Sequence, residues 1–146
     1  MKKYTLLLLI SLIPNSLIAE TLFTCGASAG YAYIYEGLLV PKEEAGWIKD
    51  GISGGSLSVV MVDKQLDILY VDATKKIYSY RADGADIQTV GHDLGYFTVL
   101  VRFENAVAEL YTFDRNNKKF SHSVHKYGAQ PVIKASTMVG DCDYKK

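Results

Sequence analysis

From about residue 20 onward, short apolar runs alternate with polar turn clusters at a spacing of roughly ten residues, the rhythm of an all-β chain. Tyr96–Phe103 shows it most clearly: Phe97, Val99, Val101 and Phe103 occupy every second position, as in a strand with one buried face. Residues 30–35 alternate Tyr31, Tyr33 and Tyr35 with Ala32 and Ile34. Ser56–Val62 and residues 66–71 flank the turn Asp63-Lys64-Gln65. Residues 77–81 run into Asp83-Gly84, a strong hairpin signal, and residues 87–90 end at Gly91. Residues 106–113 and 120–126 flank Arg115-Asn116-Asn117-Lys118, and residues 131–139 complete the series. Connections of roughly two to six residues imply antiparallel neighbours, because parallel crossovers need a dozen or more. The pattern predicts one antiparallel β-domain, barrel or sandwich, of about eight or nine strands in mostly meander order. The best helical candidate is a single turn, Pro41-Lys42-Glu43-Glu44-Ala45, with proline leading and acids following. Residues 36–55 form the longest stretch without strand character and contain the only tryptophan, Trp47.

The N-terminus departs from this rhythm. Lys2 and Lys3 precede the apolar run from Leu6 to Ile13, then Pro14 and a small residue, Ala19. A basic start, a short apolar core and a small residue at the cut make a secretory signal over residues 1–19, with Glu20 as the mature N-terminus. The run is too short to span a bilayer, which takes about 20 apolar residues. Cys25 follows Thr24 rather than Gly or Ala, which argues against lipidation. The domain is therefore residues 20–146, with no membrane span expected in it. An oxidising destination, periplasmic or secreted, makes a disulfide between its two cysteines, Cys25 and Cys142, the expected state. That bridge would clamp the first strand to the last.

Composition narrows the chemistry. The whole chain balances 16 basic against 16 acidic residues, so nothing suggests a nucleic-acid partner. At 49% hydrophobic it is too apolar for a disordered chain. No Walker loop, H-E-x-x-H or G-x-S-x-G motif is present, and no cofactor or metal is called for. His122 and His125 are three apart, which on a strand places them on opposite faces; an exposed-strand role is expected, not a shared metal. His92 beside Asp93 is the one candidate base, in a segment that ordinary turn chemistry also explains. Asp67, Asp72, Glu104 and Glu109 offer acids for a hydrolase, although solvated strand faces account for most of them. These weigh against an enzyme without deciding it.

Tyrosine rows and the tryptophan segment carry the remaining signal. Tyr31, Tyr33 and Tyr35 share one strand face, and rigid aromatic area with a polar tip suits protein or sugar surfaces, although strands favour tyrosine for packing alone and that is the role expected of most of them. The segment around Trp47 is expected to carry recognition through Lys49, Asp50 and Ser53 as an exposed rim. The indole itself is expected to turn inward as a plug, since large aromatics are mostly buried.

Residues 46–55, 69–73, 109–113 and 134–142 resemble a group of short exported bacterial proteins of no assigned activity. That resemblance implies export, a β-rich domain and two terminal cysteines, and it supplies no catalytic residues. A looser likeness, in architecture only, is to periplasmic lysozyme inhibitors, from which this chain departs in its long Trp47 segment and its turns. The function expected is non-catalytic binding of an envelope or extracellular protein or glycan, inhibition being one form this takes. The alternatives are a small hydrolase using acids or His92, and a structural envelope component.

Overall fold

The computed structural model describes residues 19–128 and 130–145, so the proposed signal segment lies, except for Ala19, outside the described residues. Ten strands follow in chain order: β1 (Ala19–Ile34), β2 (Gly46–Ile52), β3 (Ser56–Val62), β4 (Gln65–Val71), β5 (Ile77–Ser79), β6 (Asp86–His92), β7 (Tyr96–Phe103), β8 (Val107–Asp114), β9 (Lys119–Lys126) and β10 (Lys134–Tyr144). The expected helical turn is a short 3-10 turn at Lys42–Glu44. All ten strands belong to one antiparallel sheet in the order β5-β4-β3-β1-β10-β9-β8-β7-β6, with β2 paired to β1 alongside that path. Among the described residues, no helix is long and apolar enough to cross a membrane.

The alternating pattern sends one set of side chains to a concave interior. Val99 and Val101 of β7, Tyr111 and Phe113 of β8, Phe120 of β9, and Phe23 and Cys25 of β1 meet Val59, Leu66 and Ile68 of β3 and β4 in one core. Strands from both ends of the path share that core, so the sheet curls into a half-barrel. Arg81 closes the seam. Its Nε donates to the Leu66 carbonyl of β4 and its Nη2 to the Ile87 carbonyl of β6, at 3.4 Å. Asp67 anchors the same corner by accepting from the Ser79 hydroxyl (2.6 Å) and the Arg81 N–H (3.1 Å).

β1 organises the rest. It pairs with β10 along one side, while its other side pairs first with β3 and then with β2. Cys25 and Cys142 stand opposite each other in the β1–β10 register and form the disulfide, tying the first strand to the last as expected. β2 and β3 run in the same direction, so together they make one long strand antiparallel to β1, broken at Ser53-Gly54-Gly55. Gly54 takes a left-handed φ of 71° at that break.

This corrects the expectation of an irregular connection over residues 36–55. The second half of that stretch is strand β2, hidden from the pattern because both its faces carry mixed side chains. Trp47 and Lys49 face one way, and Ile48, Asp50 and Ile52 the other. The β3–β4 connection is the expected tight turn, with positive φ at both Asp63 and Lys64, which suits the right-handed twist of the paired strands.

Candidate functional site

Opposed residues in an antiparallel sheet share a face, so the registers lay out the convex surface directly. One row runs Trp47, Tyr33, Ala135, His125 across β2, β1, β10 and β9; the next runs Lys49, Tyr31, Thr137, Ser123. Trp47 is 74% exposed and Tyr31 57% exposed. The Tyr33 ring meets Trp47 edge-on at 5.5 Å and Tyr35 at 5.0 Å, a geometry that holds the aromatics in place. Ala135 is small, so a depression opens between the aromatic wall and His125. Tyr31, Trp47, His125, Ala135, Ser136 and Thr137 line this groove, which has a volume of about 360 Å³. Hydroxyls border it: Ser123 Oγ and Thr137 Oγ1 lie 3.1 Å apart along the second row.

The expected site residues are therefore divided. Tyr31, Tyr33, Tyr35, Trp47 and Lys49 come together on the convex face. Asp50 faces the concave side, where its carboxylate pairs with Lys134 Nζ at 2.6 Å, both largely buried. Ser53 sits at the β2–β3 break, beside a different groove floored by Ala29 and Gly140. Trp47 is a solvent-facing ring and not the inward plug that its size led us to expect. Its backbone belongs to an outer strand, and Tyr33 rather than the core is its support. His125 was missed as a groove residue, because only the β9–β10 register brings it opposite Ala135.

The histidine expectation is half corrected. His125 is exposed on the convex face, but His122, on the opposite face as its spacing requires, is buried at 4% exposure. Its ring stacks on Tyr111 with centroids 4.1 Å apart. Glu109, expected on a solvated face, lies in the same interior. Its Oε2 accepts from Tyr111 Oη at 2.5 Å, and Tyr111 Oη lies 3.3 Å from Tyr80 Oη. His122 Nε2 approaches Glu109 Oε2 to 3.4 Å, a contact too poorly aligned to be a hydrogen bond, and neither ring nitrogen finds a partner among the described residues. Burial works to raise the pKa of Glu109, but the neighbouring His122 and the two phenols outweigh it, leaving the carboxyl below its ordinary value. Burial, reinforced by the Glu109 charge, pushes the Tyr80 and Tyr111 phenols well above theirs. A cavity of about 20 Å³ adjoins the cluster, room for one water but for no substrate.

Asp72 and Asp93 serve local structure. Asp72 Oδ1 accepts from the Thr74 hydroxyl and from the Thr74 and Lys76 N–H groups. Asp93 Oδ1 accepts the Gly95 and Tyr96 N–H groups at 2.9 Å, which hold its carboxyl below the usual range. Asp93 thus shapes the turn after His92. Among the described residues, no three His, Cys, Asp or Glu converge on a point where a metal could sit. No family model matches this chain, and neither characterised proteins nor solved structures provide a significant match.

Proposed function

We propose that this protein is exported and acts as a non-catalytic binding domain, holding a glycan of the cell envelope or its surroundings in the convex groove. The observation that carries the reading is the 74% exposed Trp47 standing with Tyr31 over a groove floored by Ala135 and Thr137. A solvated indole loses the favourable burial that large aromatics otherwise gain, so ligand contact is the natural use of its position. Exposed aromatic faces stack on the apolar face of a sugar ring, and the adjoining Thr137, Ser123 and His125 supply donors and acceptors for its hydroxyls. Among the described residues no carboxylate lines the groove, a lining that suits neutral and acidic sugars alike. The secretory pattern of residues 1–19 and the Cys25–Cys142 bridge support an oxidising, extracytoplasmic setting.

Because Trp47 is the only tryptophan, its fluorescence reports directly on the groove. Titrating the mature protein with peptidoglycan fragments and envelope polysaccharides should quench or shift that emission for at least one glycan. His125→Ala and Tyr31→Ala should weaken that response. If no glycan changes the emission but a protein ligand does, the ligand class is wrong. Capture of either kind unaffected by Trp47→Ala would remove the groove from the function altogether.

A further inference from the structure

We propose that β2 is a dimerisation edge, through which two copies of this chain join their sheets in an antiparallel β2–β2 pairing centred on Ile48. The inference rests on the main-chain edge of β2 and not on the identity of the groove's ligand, although Trp47 belongs to both the groove and this edge.

Among the described residues β2 pairs with β1 alone, so its other side is a free edge. The hydrogen-bond phase identifies which groups that edge offers. Tyr35 N–H donates to the Ile133 carbonyl at 3.0 Å, toward the β10 side of β1. Peptide groups alternate along a strand, so Tyr33, Tyr31 and Ala29 also turn toward β10. Their neighbours Ile34, Ala32, Gly30 and Ser28 therefore bond β2, opposite Gly46, Ile48, Asp50 and Ile52. Trp47, Lys49 and Gly51 are left with N–H and C=O groups pointing outward. Asp50 Oδ1 already accepts the Gly51 N–H at 3.0 Å, which ends the ladder there. Trp47 and Lys49 remain, each with a donor and an acceptor that have no partner among the described residues.

The other ends of the sheet are blunted. β6 is bulged between Thr89 and Gly91, and β5 has only three residues, two devices that discourage edge-to-edge pairing. β2 runs through seven residues in unbroken register.

Charge and shape select the occupant and its register. A two-fold axis normal to the sheet sets convex residues against convex ones. Centring on Lys49 or on Asp50 would oppose two like charges, which is destabilising. Centring on Trp47 runs the ladder into Ala45, whose N–H is already bonded to the Lys42 carbonyl. Centring on Ile48 avoids all of these. It sets Trp47 against Lys49 of the second copy, where the ammonium can lie over the indole. It also sets Asp50 against Gly46, which has no side chain to clash, and Ile48, 40% exposed, against its own symmetry mate. Four main-chain hydrogen bonds result, all between Trp47 and Lys49 peptide groups.

The test uses the mature, oxidised chain. Sedimentation velocity across a concentration series should show a monomer–dimer equilibrium. Lys49→Pro deletes an outward N–H that makes no bond among the described residues, so it should shift the equilibrium to monomer while leaving the melting temperature nearly unchanged. Register is read by single cysteines, since the two native ones are bonded to each other. Ile48→Cys occupies a non-hydrogen-bonded pair with Cα atoms about 4.5 Å apart and should form an intermolecular disulfide readily. Lys49→Cys should do so poorly. A wild-type monomer at every concentration, a dimer that survives Lys49→Pro, or Lys49→Cys cross-linking ahead of Ile48→Cys would each overturn the proposal.

Discussion

Truncating Trp47 to alanine removes a ring that touches Tyr33 edge-on and otherwise faces solvent, so it should cost less than about 1 kcal/mol of stability. A buried plug would cost about 3–5 kcal/mol. Chemical denaturation of Trp47→Ala beside a glycan-binding assay therefore separates the two roles: the melt should hold and the binding should fail. The interior residues respond to pH instead. Glu109 has a folded pKa below its ordinary 4.5, so the unfolded chain takes up the proton first as pH falls. Its contribution is complete above about 4.5 and drains away below that value, toward the folded pKa. Glu109→Gln should lower stability at neutral pH by about 1–3 kcal/mol and flatten the acid limb of a stability–pH curve. At the alkaline end the sign reverses. Tyr80 and Tyr111 resist ionisation when folded, so above about pH 10 the unfolded chain loses protons that the folded chain keeps. Unfolding is then favoured, and Tyr80→Phe should soften that limb.

At the scale of elements, β1 and β10 depend on small residues where the β1 bulge passes over β10. A Cβ on Gly140 would stand 2.5 Å from the Ala27 carbonyl oxygen and 2.6 Å from the Phe120 ring. Gly140→Ala should therefore cost about 1–3 kcal/mol in urea denaturation, by overpacking against backbone that has no room to retreat. The strands legible from the sequence were those with one apolar face, β7 above all, whose bounds match the expected Tyr96–Phe103. β2 was illegible for the opposite reason. Its inward residues Ile48, Asp50 and Ile52 mix apolar with charged, and its outward residues include a tryptophan. What makes it a strand is the long partner β1, whose second half would otherwise leave a row of peptide groups unpaired on that side.

Across the whole molecule, two features hold the curl. The Cys25–Cys142 bridge spans 117 residues of sequence, and Cys142→Ser should cost about 2–5 kcal/mol, read from denaturation of the oxidised and mutant proteins. The Arg81 side chain spans the seam between β4 and β6, where strand pairing does not. Arg81→Ala leaves the Leu66 and Ile87 carbonyls without that donor. Amide exchange should then quicken in β4 and β6 before it does in β8 and β9.

The all-β class, the antiparallel order of most strands and the tight Asp63-Lys64 turn followed from local pattern, because period-two burial and turn chemistry act between near neighbours. The cysteine pairing followed from a chain with just two cysteines, read as bound for an oxidising compartment. Which face each strand showed to the core was also legible wherever one face was plainly apolar. Tertiary structure alone decided the rest. His122 and Glu109 are buried together because β8 and β9 lie side by side under the curl of β3 and β4. Trp47 is exposed because its strand is an outer one. His125 faces Trp47 across a groove because three registers among four neighbouring strands place Ala135 and Tyr33 between them. Each of these depends on long-range pairing between residues that are individually unremarkable, and such pairing leaves no periodic trace along the chain.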